Sequence, residues 1–349
     1  MDYTKVLKEL SVFPGVSGHE KNLSEYVGRL FNQYCENVEI DKFFNVIAFK
    51  EGNGESRKRI MVTAHMDEIG LMVKSIEDKG FVRFTNIGGI DTKILPAQEV
   101  VIHGKIDVYG IIGAKPPHLL KKEETSKAAK MEDMCIDTGL SSDELRNIIS
   151  VGDVITFKVE PLPLKNNKFS SKCLDNRAGV AALLDIMENL TMLNYKSDIY
   201  FAATVQEEVG LRGAHIAAYN VYPDMAIVID VCHGDIPETS KDEIFPLGKG
   251  PAIAIGPNLH RGLTNRIIKL ARDENIPYQI DVEPGNTGTE AWAIQVSRAG
   301  IPTLLVSIPL RYMHTTIETL CMDDIKYTGR LISRFISIIE DGMEEIQCC

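Results

Sequence analysis

A histidine and an aspartate stand two residues apart in Ala64-His65-Met66-Asp67-Glu68-Ile69-Gly70, just after the apolar run Ile60-Met61-Val62-Thr63-Ala64. Imidazole nitrogens and carboxylate oxygens are donors that zinc, cobalt and manganese accept. On an extended segment i and i+2 point to the same side, so Asp67 can reach the second ring nitrogen of His65 and fix its orientation. Further along, Asp175 opens a helical run, Glu207-Glu208 follow Tyr200 to Val205, Asp230 closes Ala226-Ile227-Val228-Ile229, and His314 follows Leu304 to Pro309. Adjacent side chains diverge. One of Glu207 and Glu208 can therefore ligate an ion while the other faces substrate and moves protons.

Each group has a plainer use when taken alone. An Asp before a helix is commonly an N-cap, a single His is commonly a hydrogen-bonded structural residue, and paired glutamates commonly form a solvated face. Their coincidence weighs against this, because all fall where a strand ends and a loop begins, the edge at which open parallel sheets bind ligands.

The elements that must position them follow from periodicity. Apolar spacing predicts helices over 4–11 and 20–34, the second starting near Ser17-Gly18-His19-Glu20, then strands over 40–49 and 59–64. From about Leu71 to Lys168 the texture changes to short β-like runs punctuated by Gly and Pro, with a polar stretch Lys115 to Asp133 read as a loop or short helix. Alternation then returns: helix 176–189, strand 198–206, a helix after Gly210, strand 225–231, helices 259–274 and 289–298, strand 301–307 and helix 323–340. This pattern predicts an α/β domain built from residues 1–70 plus 169–349, interrupted by a small β-rich domain over 71–168.

The 349 residues carry a net charge of −11, which argues against a nucleic-acid or anionic-membrane partner. No run reaches membrane-spanning length and the first residues do not resemble a secretion signal, so the expected location is cytoplasmic. Seven scattered cysteines without a C-x-x-C pair indicate neither a disulfide framework nor a thiolate zinc site; most are read as small buried hydrophobes, and Cys348 and Cys349 as exposed thiols.

The motifs AHMDEIG, GAKPPHLL, LDNRAGVAALL, QEEVGLRGA, IDV and RYMH occur in this order. In them the chain resembles, over nearly its whole length, the dimetal aminopeptidases of metallopeptidase family forty-two, the tetrahedral (TET) glutamyl, leucyl and lysyl enzymes, some of which carry endoglucanase-type names. The resemblance implies a three-layer α/β/α zinc-peptidase-like catalytic domain with an inserted barrel-like dimerisation domain. It implies two divalent ions per subunit, zinc or cobalt, with manganese as an alternative. Asp175 would bridge them, His65 and Asp230 would complete one site, and Glu208 and His314 the other. Glu207 matches the general acid/base and Asp67 the residue buttressing His65, and the Asp175-Asn176 peptide bond is expected to be cis. Short peptides are the implied substrates, and a homo-oligomer, a dodecamer built from dimers, the implied assembly.

Two positions depart from the family pattern: Glu290 stands in Gly288-Thr289-Glu290-Ala291 where Asp is usual, and Thr315-Thr316 where Ser-Pro is common. Arg311 could contact an acidic substrate side chain or pair with a carboxylate. His118 is read as a loop or interface residue, and Glu68 as local structure. Gly248-Lys249-Gly250-Pro251 lacks the spacing of a phosphate loop. Two rival functions stand beside the aminopeptidase. A glycoside hydrolase would need a carboxylate pair but no histidine ligands; a non-catalytic assembly protein would need none of these groups.

Overall fold

The apolar runs read from the sequence become the central strands of one large sheet. A computed structural model describes residues 1–55, 57–119, 128–240 and 244–339. Helices α1 (Tyr3–Val12) and α2 (Lys21–Phe31) precede strands β1 (Asn37–Ile40), β2 (Val46–Lys50) and β3 (Arg59–His65). The segment 40–49, expected as one strand, is instead divided by a hairpin turn. There the Asp41 carboxylate accepts the backbone N–H of both Phe43 and Asn45 and reverses the chain.

After β3 the chain enters β4 (Gly70–Ile76), β5 (Val82–Ile87), β6 (Glu99–His103), β7 (Asp107–Gly113), β8 (Cys135–Asp137), helix α3 (Ser142–Ile148) and β9 (Val154–Phe157). The six strands close an antiparallel barrel in the order β4-β5-β8-β7-β6-β9. Its interior holds Leu71, Val100, Ile102, Ile136 and Ile155, while alternation along β7 leaves Tyr109 and Ile111 exposed. Helix α3 starts on a capping box, Ser141 with Glu144, a signal present in the sequence and not used there. His118 is exposed in a short 3-10 turn, Pro117–Leu119. Residues 120–127 of the polar stretch lie outside the described residues, as do Glu340, Cys348 and Cys349.

The return is β10 (Leu162–Pro163), β11 (Lys168–Ser171), α4 (Leu174–Leu190), β12 (Asp198–Thr204), α5 (Arg212–Val221), β13 (Met225–His233), β14 (Ala252–Ile255), α6 (Arg261–Asp273), β15 (Gln279–Val282), α7 (Ala291–Ile294), β16 (Thr303–Arg311), β17 (Glu318–Cys321) and α8 (Met322–Ser337). These strands join β1, β2 and β3 in an eleven-stranded sheet whose centre, β12-β3-β13-β16, is parallel. Strands buried on both faces read as nearly continuous apolar sequence, as β3, β13 and β16 do. Alternate residues serve opposite layers: Ile60, Val62, Ile227 and Ile229 pack with side chains of α1, α2, α4 and α8, whereas Met61, Ala226 and Val228 meet Ala214, Ala217 and Ala218 of α5. The result is the expected three-layer α/β/α arrangement. Each fully buried large apolar side chain contributes about 1.5–3 kcal/mol to it.

Helix α7 is four residues long, where the sequence suggested ten, and β14 and β15 form where no strand was read. Cys35, Cys173, Cys232 and Cys321 are buried free thiols and Cys135 is half-buried. Among the described residues, no helix is long and apolar enough to cross a membrane.

Candidate functional site

The parallel strands deliver the chemistry to one edge. His65 is the last residue of β3 and pairs with Thr204 of β12, so the Glu207-Glu208 segment emerges beside it. Asp230 on β13 pairs with Ser307 of β16, whose extension carries His314. Asp175 enters from the first turn of α4, and the Asp175-Asn176 peptide bond is cis. Asn176 is held there by donating to the Ile229 carbonyl and accepting from Gly179 N–H. The chain turns sharply on leaving these elements: Cys173, Gln206, Tyr312 and His314 all adopt left-handed φ between 50° and 60°. Non-glycine residues seldom occupy that region, and they gather at functional edges when the surroundings hold them.

The five expected ligands and Glu207 meet. His65 Nε2 lies 3.2 Å from Asp175 Oδ1 and 3.8 Å from Asp230 Oδ1. His314 Nε2 lies 3.4 Å from Asp175 Oδ2 and 3.3 Å from Glu208 Oε1. Asp175 thus faces one imidazole with each oxygen. Donor atoms of His65, Glu207 and Asp230 all lie within 4.8 Å of one another, as do those of His65, Asp175 and Glu208. The groups line a cleft of about 480 Å³ together with Leu305 and Ser307.

The charge balance is one-sided. No lysine or arginine lines the cleft among the described residues. Burial, reinforced by Asp230, Glu208 and Asp175 and opposed by His65, holds the Glu207 carboxyl well above its ordinary value, and Asp230 is raised too, by burial and Asp175. Burial opposes protonation of His65, yet Glu207, Asp175, Asp67 and Asp230 hold it above the usual range. The pKa of His314 is lifted to about 11 by its bonds to Asp175 and Glu208. Such crowding of oxygen and imidazole donors, short of positive charge, fits divalent cations.

Asp67 does more than the expected buttressing. Its Oδ1 is 3.4 Å from His65 Nδ1, a long approach for a hydrogen bond, and that nitrogen has no other partner among the described residues. Its closer bonds come from Glu207 N–H at 3.0 Å, Glu208 N–H at 3.3 Å and the Ser17 hydroxyl at 2.6 Å. Glu20 extends the same support, accepting from Gly18 N–H and Gln206 N–H, with its carboxyl pushed up to about 7 by burial and Asp67.

Three placements go beyond the sequence. Glu318, fully buried and not singled out from sequence, accepts Asp175 N–H at 3.0 Å with one oxygen and His314 N–H at 2.9 Å with the other. Glu68 is more than local structure: it pairs with Lys172 and Arg177 and accepts Gly15 N–H, while Arg177, also fully buried, donates to the carbonyls of Leu10, Phe13 and Met66. The extra methylene of Glu290 carries its carboxylate inward, where it accepts the hydroxyls of Thr63 and Thr204 and does not line the cleft.

The remaining candidates also find partners. Arg311 grips Asp235 through its side-chain oxygen and its carbonyl and lies outside the cleft lining, so carboxylate pairing is the use the structure shows. Thr315 bonds the Tyr312 carbonyl and closes the turn under His314. Gly248 and Gly250 donate their N–H groups to Asp324, which accounts for that glycine segment without a phosphate.

A parallel sheet that brings these donors to one open edge, with a carboxylate to spare, defines a metal-dependent hydrolase, and its relatives narrow the class. The profile of the M42 glutamyl aminopeptidase family matches residues 45–331; the chain belongs to that family and is a metalloaminopeptidase. The lysyl aminopeptidase of Pyrococcus furiosus is 35% identical over 334 residues, 94% of each chain. An aminopeptidase from the archaeon Desulfurococcus kamchatkensis superposes with a TM-score of 0.90 at 36% identity, covering 97% of this chain and 95% of that one. The TET1 peptidase of Pyrococcus horikoshii, which assembles into a tetrahedron or a large octahedral shell, gives 0.84 at 34% identity, covering 96% and 99%.

Proposed function

We propose that the protein removes N-terminal residues from short peptides, using two divalent ions that share Asp175. His65 and Asp230 would hold one, Glu208 and His314 the other. The supporting observation is that Asp175 presents one oxygen to each imidazole, 3.2 Å from His65 and 3.4 Å from His314. Bound there, such ions polarise a carbonyl and lower the pKa of water. Glu207, within 4.8 Å of the donors of His65 and Asp230, takes the proton from the attacking water and delivers it to the leaving amine. Asp67 fixes the backbone that carries Glu207 and Glu208. The carboxylates around the cleft would also receive the peptide's α-ammonium, which restricts action to free N-termini.

Zinc or cobalt suits this donor set, with manganese the alternative. The domain division at 1–70 plus 169–349 and 71–168 belongs to the same proposal, with the barrel domain as the dimerisation unit. Exposed Tyr109 and Ile111 on β7 support that use, and the shells of the Pyrococcus horikoshii relative support higher assembly, a dodecamer included. A cytoplasmic location suits a short-peptide substrate.

The test is a Glu207→Gln variant. Its kcat on an aminoacyl-p-nitroanilide should fall by about 10²–10⁴ with metal content unchanged. Unaltered turnover would remove Glu207 from the mechanism. Activity toward a β-glucan that survives complete chelation would instead point to a glycoside hydrolase.

A further inference from the structure

The site's lateral wall bears on which N-terminal residue it accepts. Strands β13, β16, β14 and β15 are successive neighbours in the sheet, so the end of β15 borders the cleft on the side away from His65. Asp281 and Glu283 line the cleft there, together with Val282 and Phe245. Neither acid belongs to the donor groups around His65. Ions bound at those donors would neutralise the inner carboxylates, while Asp281 and Glu283 would face only His233, which also lines the cleft and favours the ionised Asp281. No described lysine or arginine forms an ion pair with either, and Arg311 is committed to Asp235.

We infer that this wall is the specificity surface for the substrate's first side chain and that it selects a basic residue, lysine or arginine. The inference rests on the aminopeptidase reading above. A lysine or arginine stem is apolar and its head cationic, so Phe245 packs the stem while Asp281 and Glu283, on one face of the extended segment, take the charge. Burial raises the Asp281 carboxyl above its ordinary value, and burial together with Asp281 raises Glu283, a cost that a neighbouring cation relieves. A leucine side chain would strip water from these carboxylates without replacing its hydrogen bonds. A glutamate would meet like charge, so this chain departs from the preference in its family's name.

The experiment measures kcat/KM for Lys-, Arg-, Leu- and Glu-p-nitroanilides with the metal-loaded full chain. Basic substrates should exceed leucine by about tenfold or more, with glutamate lowest. In an Asp281→Asn/Glu283→Gln double variant the lysine value should drop by about tenfold while the leucine value does not fall, so that the preference for lysine over leucine is lost. Glu283→Lys, at a half-buried position, should raise the glutamate value and supplies a second route if the double variant does not fold. Leucine or glutamate as the best wild-type substrate, or an equal loss on all substrates in the double variant, would overturn the inference. Hydrolysis of none of the four would instead overturn the aminopeptidase reading, and the inference with it.

Discussion

Two buried acidic clusters lie close together and balance their charge in opposite ways. Behind the site, Glu68 is neutralised within the chain by Lys172 and Arg177. At the site, Asp175, Glu207, Glu208 and Asp230 face two imidazoles, and no lysine or arginine joins them among the described residues. The contrast separates two purposes of a buried charge. A closed ion cluster ties Gly15, Leu10, Phe13 and Met66 to α4 and fixes the loops around the cleft. An open one leaves its balance to an exchangeable partner, which is what a catalyst using metal ions requires.

The sharpest way to break this contrast is to remove one charge from each cluster. Glu68→Gln leaves Lys172 and Arg177 buried without their carboxylate and should cost about 3–5 kcal/mol, read as a lower denaturation midpoint. Glu318→Gln should act on the open cluster alone. An amide offers a single acceptor to the two N–H groups that position Asp175 and His314, so metal affinity by competition titration should fall about 10–100-fold with little change in fold. Asp230→Asn has the opposite sign to Glu68→Gln: it relieves carboxylate crowding, so the metal-free protein should melt higher, by an amount on the order of 1 kcal/mol, while losing activity. A lower melting point there would show that the open cluster balances its own charge.

Acid provides the smallest probe. Burial pushes the Glu68 carboxyl up, but Lys172 and Arg177 outweigh it and the net pKa is below the ordinary 4.5. A carboxylate with a lowered folded-state pKa stabilises above its unfolded value, and that contribution fades as pH falls through the folded value. The stability gap between wild type and Glu68→Gln should therefore be full near neutrality and shrink below about pH 4.5.

What the sequence revealed depended on local pattern. His65, Asp175, Glu207, Glu208, Asp230 and His314 could be read because strand periodicity places each at a strand end or helix start; alternation of apolar runs gave the α/β domain and its β-rich insertion, and the resemblance gave the three layers. Glu318 was hidden because, in sequence, it is one polar residue in a short strand; only the turn through His314 brings it under Asp175, 143 positions away. The partners of Glu68 lie 104 and 109 residues distant, so no local pattern could show that ion cluster. β14 and β15 are four residues each, too short for periodicity to register, yet β15 carries the lateral wall of the cleft.

The central claim is that the open cluster works only when divalent ions complete it. Chelator-stripped protein titrated with zinc or cobalt, with bound metal and aminoacyl-p-nitroanilide turnover measured on the same samples, tests it directly. Turnover should start near zero and level off as the second ion per subunit binds. Full turnover by the stripped protein, or turnover that ignores metal occupancy, would contradict the account.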